Sequence, residues 1–126
     1  MAWNDRRPMS PHLQIYKMPL TAMLSVGHRG TGAVLGAGGL LIVWLLASAA
    51  GGEAAYATAH GFVTSWFGIL VLFGFTFSLY LHFFNGIRHL FWDIGKGFEL
   101  EDTQKSAKLA FGATLAMTVL TWLVAW

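Results

Sequence analysis

Two histidines, an asparagine and a glycine lie in phase within HFFNGIRHLFWDIG, residues 82–95, a segment that begins inside a long apolar stretch. His82 and His89 are seven residues apart, close to two helical turns, so a helix would project both from one face. Asn85 and Gly86 fall on the same face and predict a polar strip with a gap beside it. Such side chains are costly near lipid and mark functional sites when they occur there. This segment is therefore the first candidate for chemistry.

A second polar strip occurs earlier in the chain. Pro19 suits the first turn of a helix. If a helix starts there, five residues share one face, polar at first and small further on: Ser25, His28, Arg29, Gly32 and Gly36. The Gly32-x-x-x-Gly36 pair permits either close helix packing or the close approach of a flat ligand such as a porphyrin.

The composition shows what kind of protein must position these strips. Of the 126 residues, 56% are hydrophobic and 11% are charged, whereas a soluble domain has about 25% charged residues. A soluble domain of this size could not bury so much apolar surface, so the chain is an integral membrane protein. It contains no cysteine, which excludes disulfides and metal ligation through thiolates of this chain.

Three uncharged apolar runs are each long enough for a membrane-spanning helix, which needs about 20 residues. We expect spans at about residues 24–50, 60–90 and 104–126. A cytoplasmic arm of residues 1–18, in which prolines oppose helix, precedes a transmembrane domain of residues 19–126. No run alternates with period two, so the sequence predicts an all-α membrane protein with three transmembrane helices rather than strands.

The positive charges predict the orientation of these spans. All eight lysines and arginines lie before the first uncharged run (30–52) or between the second (54–87) and the third (109–126): Arg6, Arg7, Lys17, Arg29, Arg88, Lys96, Lys105 and Lys108. The positive-inside rule therefore places the N-terminus in the cytoplasm and the C-terminus outside. This distribution also accounts for the net charge of +2 without a nucleic-acid partner.

Under this topology the two polar strips meet in the cytoplasmic leaflet, and three interpretations of His82 remain open. It could pack against a neighbouring helix, serve as an axial ligand of haem iron, or relay protons. Arg29 with His28, and Arg88 with His89, supply cations at the depth where haem propionates would lie. No acidic residue falls within the apolar runs, which disfavours a proton path.

Ser25 and Arg29 allow two interpretations. Arg29 could anchor the helix at the interface by touching lipid phosphates, with Ser25 only capping or packing. Alternatively, both side chains could donate hydrogen bonds to the carbonyl oxygens of a bound ligand. The residues alone leave both interpretations open.

Three motifs carry a resemblance to a known family. RPMSPHLQIY (7–16), SVGHRGTG (25–32) and HFFNGIRHLFWDIGKG (82–97) resemble the membrane-anchor cytochrome b subunits of succinate dehydrogenase, respiratory complex II. The resemblance covers nearly the whole chain, and the combined motifs are far more specific than any single histidine. It implies a helix bundle shared with a second hydrophobic anchor subunit, one haem b between the two chains, and a bacterial or mitochondrial inner-membrane location.

The resemblance also implies roles for individual residues. His82 would be the haem axial ligand from this chain, and the second anchor subunit would supply the other. Ser25 and Arg29 would form part of the ubiquinone site, where Arg29 would stabilise negative charge developing on a quinone oxygen. His28, Arg29, His89 and Arg88 would lie at the haem propionates or support the ligand.

The implied complex contains an iron–sulfur subunit and a flavoprotein subunit, which would oxidise succinate and deliver electrons to ubiquinone at the membrane. This chain would perform no succinate chemistry but would contribute to quinone reduction. Two alternatives stay open: the anchor of a fumarate reductase that uses menaquinol, and a non-redox membrane packing subunit or transporter fragment.

Overall fold

The computed structural model describes residues 16–125, and these residues form four helices without strands. The helices run in chain order as α1 Leu20–Ala50, α2 Glu53–Val63, α3 Trp66–Asp93 and α4 Leu100–Ala125. Helices α1, α3 and α4 are long and apolar enough to cross a membrane. The expected all-α class with three membrane-spanning helices is thus confirmed. Most of the expected arm, residues 1–15, lies outside the described residues, as does Trp126.

The second span begins later than expected, at Trp66 rather than near residue 60, because the separate helix α2 precedes it. Ser65 caps α3: its hydroxyl accepts a hydrogen bond from the Gly68 amide at 3.1 Å and donates one to the Phe62 carbonyl at 2.6 Å. A Cβ at Gly68 would collide with that carbonyl. The sharp corner between α2 and α3 therefore depends on a hydroxyl cap followed by a glycine.

Helix α1 begins at Leu20 with Pro19 at its N-cap position, in agreement with a helix start at Pro19. Helix α4 begins at Leu100, before the apolar run that predicted a span from about residue 104. The first turn of α4 carries Glu101 and Asp102, whose negative charge suits the positive end of the helix dipole. Apolar length alone does not detect this polar first turn.

Helix α3 lies in the centre of the bundle and packs against α1 on one side and α4 on the other. A small apolar core joins the three helices through Leu24, Leu81 and Ala107. The other buried residues are largely small or polar, whereas many large apolar side chains point outwards. This distribution suits a bundle in lipid, where close packing and hydrogen bonds rather than the hydrophobic effect hold helices together.

Arg88 makes the main polar connection between α3 and α4. Its side chain is only 6% exposed, and it donates to Asn85 Oδ1 at 2.7 Å and to Ser106 Oγ at 3.2 Å. It also reaches the Thr103 carbonyl at 3.4 Å, and its guanidinium carbon lies 4.8 Å from the centroid of the Trp92 ring. Asn85 and Arg88 are therefore turned towards α4.

We predict that Asn85→Leu destabilises the bundle by about 1–3 kcal/mol, because a buried arginine then loses its shortest hydrogen bond. Thermal unfolding of the purified complex, followed by circular dichroism, measures the effect. Thr76→Val is the matched control, since the Thr76 hydroxyl donates to the Leu72 carbonyl of its own helix. Equal midpoints for the two variants would contradict the assigned role of Asn85.

Candidate functional site

Three histidines from the two polar strips come together between α1 and α3. The rings of His28 and His82 are stacked, with centroids 3.9 Å apart and planes 16° apart. The ring of His89 lies 5.0 Å from that of His28 and is tilted by 39°. All three side chains are half-buried. The structure thus joins residues that are more than fifty positions apart in the sequence.

A hydrogen bond to α1 orients the His82 imidazole. Its Nδ1 lies 3.1 Å from the His28 carbonyl oxygen and 3.4 Å from Thr31 Oγ1. Because a carbonyl oxygen only accepts, the shorter contact is a hydrogen bond when Nδ1 carries the proton. The Nε2 then keeps its lone pair, which is the form in which a histidine binds a metal.

Thr31 supports this arrangement from the α1 side. Its side chain is buried, and its hydroxyl lies 2.8 Å from the Gly27 carbonyl and 3.0 Å from that of His28. The hydroxyl is thereby held beside the His82 ring. The sequence patterns above do not predict a role for Thr31. Its position three residues after His28, on the polar face of α1, was the available signal.

Gly32 provides the space that the His82 ring occupies. A Cβ at Gly32 would lie 3.2 Å from His82 Cε1 and 3.6 Å from Nδ1, whereas a Cβ at Gly36 would meet no atom within 4 Å. Among the described residues, the missing side chain of Gly32 therefore leaves the space in which the His82 imidazole packs. The structure shows no such contact at Gly36.

Ser25 and Arg29 lie one turn apart on α1, near the ring of His28 between α1 and α3. Ser25 is half-buried and Arg29 is exposed. Neither side chain makes a hydrogen bond within the described part of the chain. The buried Nδ1 of His28 likewise has no partner among residues 16–125. This end of the bundle therefore carries donors, and one buried ring nitrogen, that the described residues leave unused.

The histidine cluster is not a metal cage by itself. Among the described residues, no group of three or more histidine, cysteine, aspartate or glutamate side chains could hold a metal ion. The rings stack on one another instead of directing their nitrogens at one point. A metal bound through His82 would therefore need its other ligands from outside this chain, as an axially ligated porphyrin does. Arg88, turned towards α4, lies outside the cluster.

Comparison with known proteins agrees with the motifs and the fold. A family model described as succinate dehydrogenase/fumarate reductase transmembrane subunit matches residues 4–121. The chain belongs to this family. It is 42% identical to the succinate dehydrogenase cytochrome b556 subunit of Paracoccus denitrificans, across 96% of this chain and 93% of the relative.

Two relatives named cytochrome b560 subunits are also similar to this chain. The anchor subunit is 32% identical to the cytochrome b560 subunit of Reclinomonas americana, over 96% of this chain and 88% of that one. It is 34% identical to the mitochondrial cytochrome b560 subunit of Sus scrofa, over 93% and 73%. Both relatives are succinate dehydrogenase subunits, so the fumarate reductase alternative is not favoured. Three spans and these relatives place the chain in the inner membrane, as part of an oxidoreductase complex.

Proposed function

We propose that this anchor subunit ligates one haem b through His82 and forms part of the ubiquinone-reduction site with Ser25 and Arg29. The second axial ligand would come from a second hydrophobic anchor subunit. The observation that carries the proposal is the 3.1 Å contact from His82 Nδ1 to the His28 carbonyl, because it leaves Nε2 free for iron. The names of the relatives, all cytochromes b, support the same cofactor.

The residues around His82 fit a haem in three respects. Its tautomer is held by α1, Gly32 leaves room for the ring, and cationic or donor side chains lie at the same end of the bundle. A haem bound there supplies one-electron redox chemistry. The contribution of this chain is to hold the ligand nitrogen in position and to set its basicity through the proton on Nδ1.

We assign the propionate side to His28, Arg29 and His89. His28 has a buried Nδ1 that no described residue binds, and His89 is next to it at 5.0 Å between ring centroids. Arg29 follows on the same face of α1. Of the two roles expected for Arg88, the supporting one fits its geometry better, because its guanidinium holds α3 against α4.

Quinone reduction needs donors at the carbonyl oxygens as negative charge develops there. Ser25 and Arg29 would supply them from adjacent turns of α1: the serine hydroxyl would orient the ring, and the guanidinium would stabilise the charge. Both lie at the end of the bundle that carries the positive charges, the predicted cytoplasmic side. The iron–sulfur and flavoprotein subunits would deliver electrons from succinate at that side.

The proposal is tested on the complex purified through this chain together with its partner subunits. A reduced-minus-oxidised absorption spectrum with b-type bands, and ubiquinone in the solvent extract, are the expected results. Absence of haem bands in active complex would reject the ligation. Menaquinone instead of ubiquinone in the extract would show that the assigned substrate is wrong, but it would not contradict the haem ligation.

Gly32→Ala provides a finer test of the ligand geometry. The added methyl group would press on the His82 ring, so we expect roughly tenfold weaker haem binding, the size typical of a perturbed ligand environment. Haem titration of the apo-complex measures it. Gly36→Ala is the control, since its methyl group meets no atom within 4 Å. Equal haem affinity in both variants would refute the role given to Gly32.

A further inference from the structure

A cavity of about 200 Å³ lies between the end of α3 and the start of α4. Its wall carries two cations, Arg88 and Lys96, two aromatic rings, Phe91 and Trp92, and one carboxylate, Asp102. The volume is several times the about 30 Å³ that one water molecule occupies in the liquid. The haem and quinone roles proposed above do not use this cavity.

The charge of Arg88 is not neutralised by the described residues. A guanidinium has five N–H donors, and three of them are given to neutral acceptors on Asn85, Ser106 and Thr103. The ion pair found within residues 16–125 joins Lys105 to Glu101 instead. A buried charge without a partner is costly. Arg88 therefore keeps two N–H donors, and the cavity wall, with Arg88 and Lys96 against the single carboxylate of Asp102, carries a net positive charge that favours an anion.

The surroundings favour the phosphate of a lipid. Lys96 lines the cavity, is exposed, and lies three residues after the end of α3, at the predicted cytoplasmic boundary of the membrane. On α3, towards the membrane interior from Lys96, two large apolar side chains are also exposed, Phe91 at 54% and Leu90 at 64%. Cations at this depth attract anionic headgroups, and the apolar surface suits acyl chains.

We propose that this cavity binds the headgroup phosphate of a membrane phospholipid, held by Arg88 and Lys96, with its acyl chains extending from the cavity towards the bilayer interior. Arginine can bind two phosphate oxygens at once through its planar fork. The lysine adds a second positive charge at the opening. The bound lipid would neutralise the arginine that joins α3 to α4 and so stabilise this corner of the bundle.

The test counts phospholipid retained by the complex, purified in detergent with its partner subunits and incubated with phosphatidylglycerol. Native mass spectrometry measures the occupancy. We expect Lys96→Gln and Arg88→Gln each to lower it roughly fivefold, as expected for one cation near a lipid phosphate. Lys108→Gln, an exposed lysine of α4 that does not line the cavity, should leave it unchanged.

Three outcomes would overturn the proposal. Equal occupancy in wild type and both cavity variants would show that the phosphate binds elsewhere. Displacement of the lipid by excess inorganic phosphate would show an anion site that needs no acyl chain. If the Lys96→Gln complex loses the iron–sulfur subunit but retains its lipid, the cavity region is an interface with that subunit and not a lipid site. If the Arg88→Gln complex fails to assemble, Lys96→Gln still tests the proposal. The Lys96 side chain makes no hydrogen bond within residues 16–125, so its replacement should not disturb the fold.

Discussion

His82→Ala should abolish haem binding to the complex, with loss of the b-type bands from the reduced-minus-oxidised spectrum. The alanine has no nitrogen to ligate iron. The ring of the neighbouring His28 is stacked 3.9 Å from the lost imidazole, with planes 16° apart, so it does not occupy the position of the missing ligand. Quantitative haem assay of the purified complex measures the loss. A full complement of haem with an unchanged spectrum would contradict the assignment.

His89→Ala is the matched control for that experiment. His89 belongs to the same helix and the same cluster, but its ring stands edge-on to Trp92 at 5.0 Å and carries no hydrogen bond to α1 among the described residues. We expect His89→Ala to retain haem and to change only the environment of the propionates, seen as a modest shift of the reduced bands. Identical loss of haem in both variants would mean that the cluster, rather than His82, binds the cofactor.

Arg29→Ala should lower the rate of ubiquinone reduction by roughly 10²–10³, the cost of removing one donor from developing negative charge. Succinate oxidation measured with an artificial acceptor at the flavin should stay near the wild-type rate, because that chemistry takes place in another subunit. The ratio of the two activities is therefore the measurement. If both activities stay at their wild-type values, Arg29 has no part in quinone reduction.

Two further variants separate charge from hydrogen bonding at this site. Arg29→Lys keeps the positive charge but loses the planar fork, so we expect an intermediate rate. Ser25→Ala removes a neutral donor, which is worth less than a charged one, and should cost roughly tenfold. A larger effect from Ser25→Ala than from Arg29→Ala would reverse the roles proposed for the two residues.

Failure of one of these predictions leaves the other intact. His82→Ala tests iron ligation, whereas Arg29→Ala tests quinone chemistry one helix away. Arg29 is assigned to both functions, so a loss of haem in Arg29→Ala would show that its main contribution is to the propionates. Measuring haem content in every quinone-site variant is therefore part of the design.

The sequence by itself determined the membrane class, the three spans, the positive end of the bundle and the helix faces that carry His28, His82 and His89. Apolar length, charge placement and helical phase are properties of one segment, so they can be read without a neighbour. The polar first turn of α4 was missed because an apolar window does not detect it. The break before Trp66 was missed because it depends on the contact between Gly68 and the Phe62 carbonyl.

The tertiary structure decided which neighbour each polar side chain meets. His82 and Asn85 differ by only about 60° around α3, as three residues do on a helix with 3.6 residues per turn, and the sequence placed them in one strip. In the bundle, His82 contacts α1, whereas Asn85 binds Arg88, whose guanidinium reaches α4. Helical phase measures an angle about one axis and contains no information on the positions of the other axes. The contact of His82 Nδ1 with the His28 carbonyl, the position of Thr31 beside it and the separate cavity at Arg88 all follow from those positions.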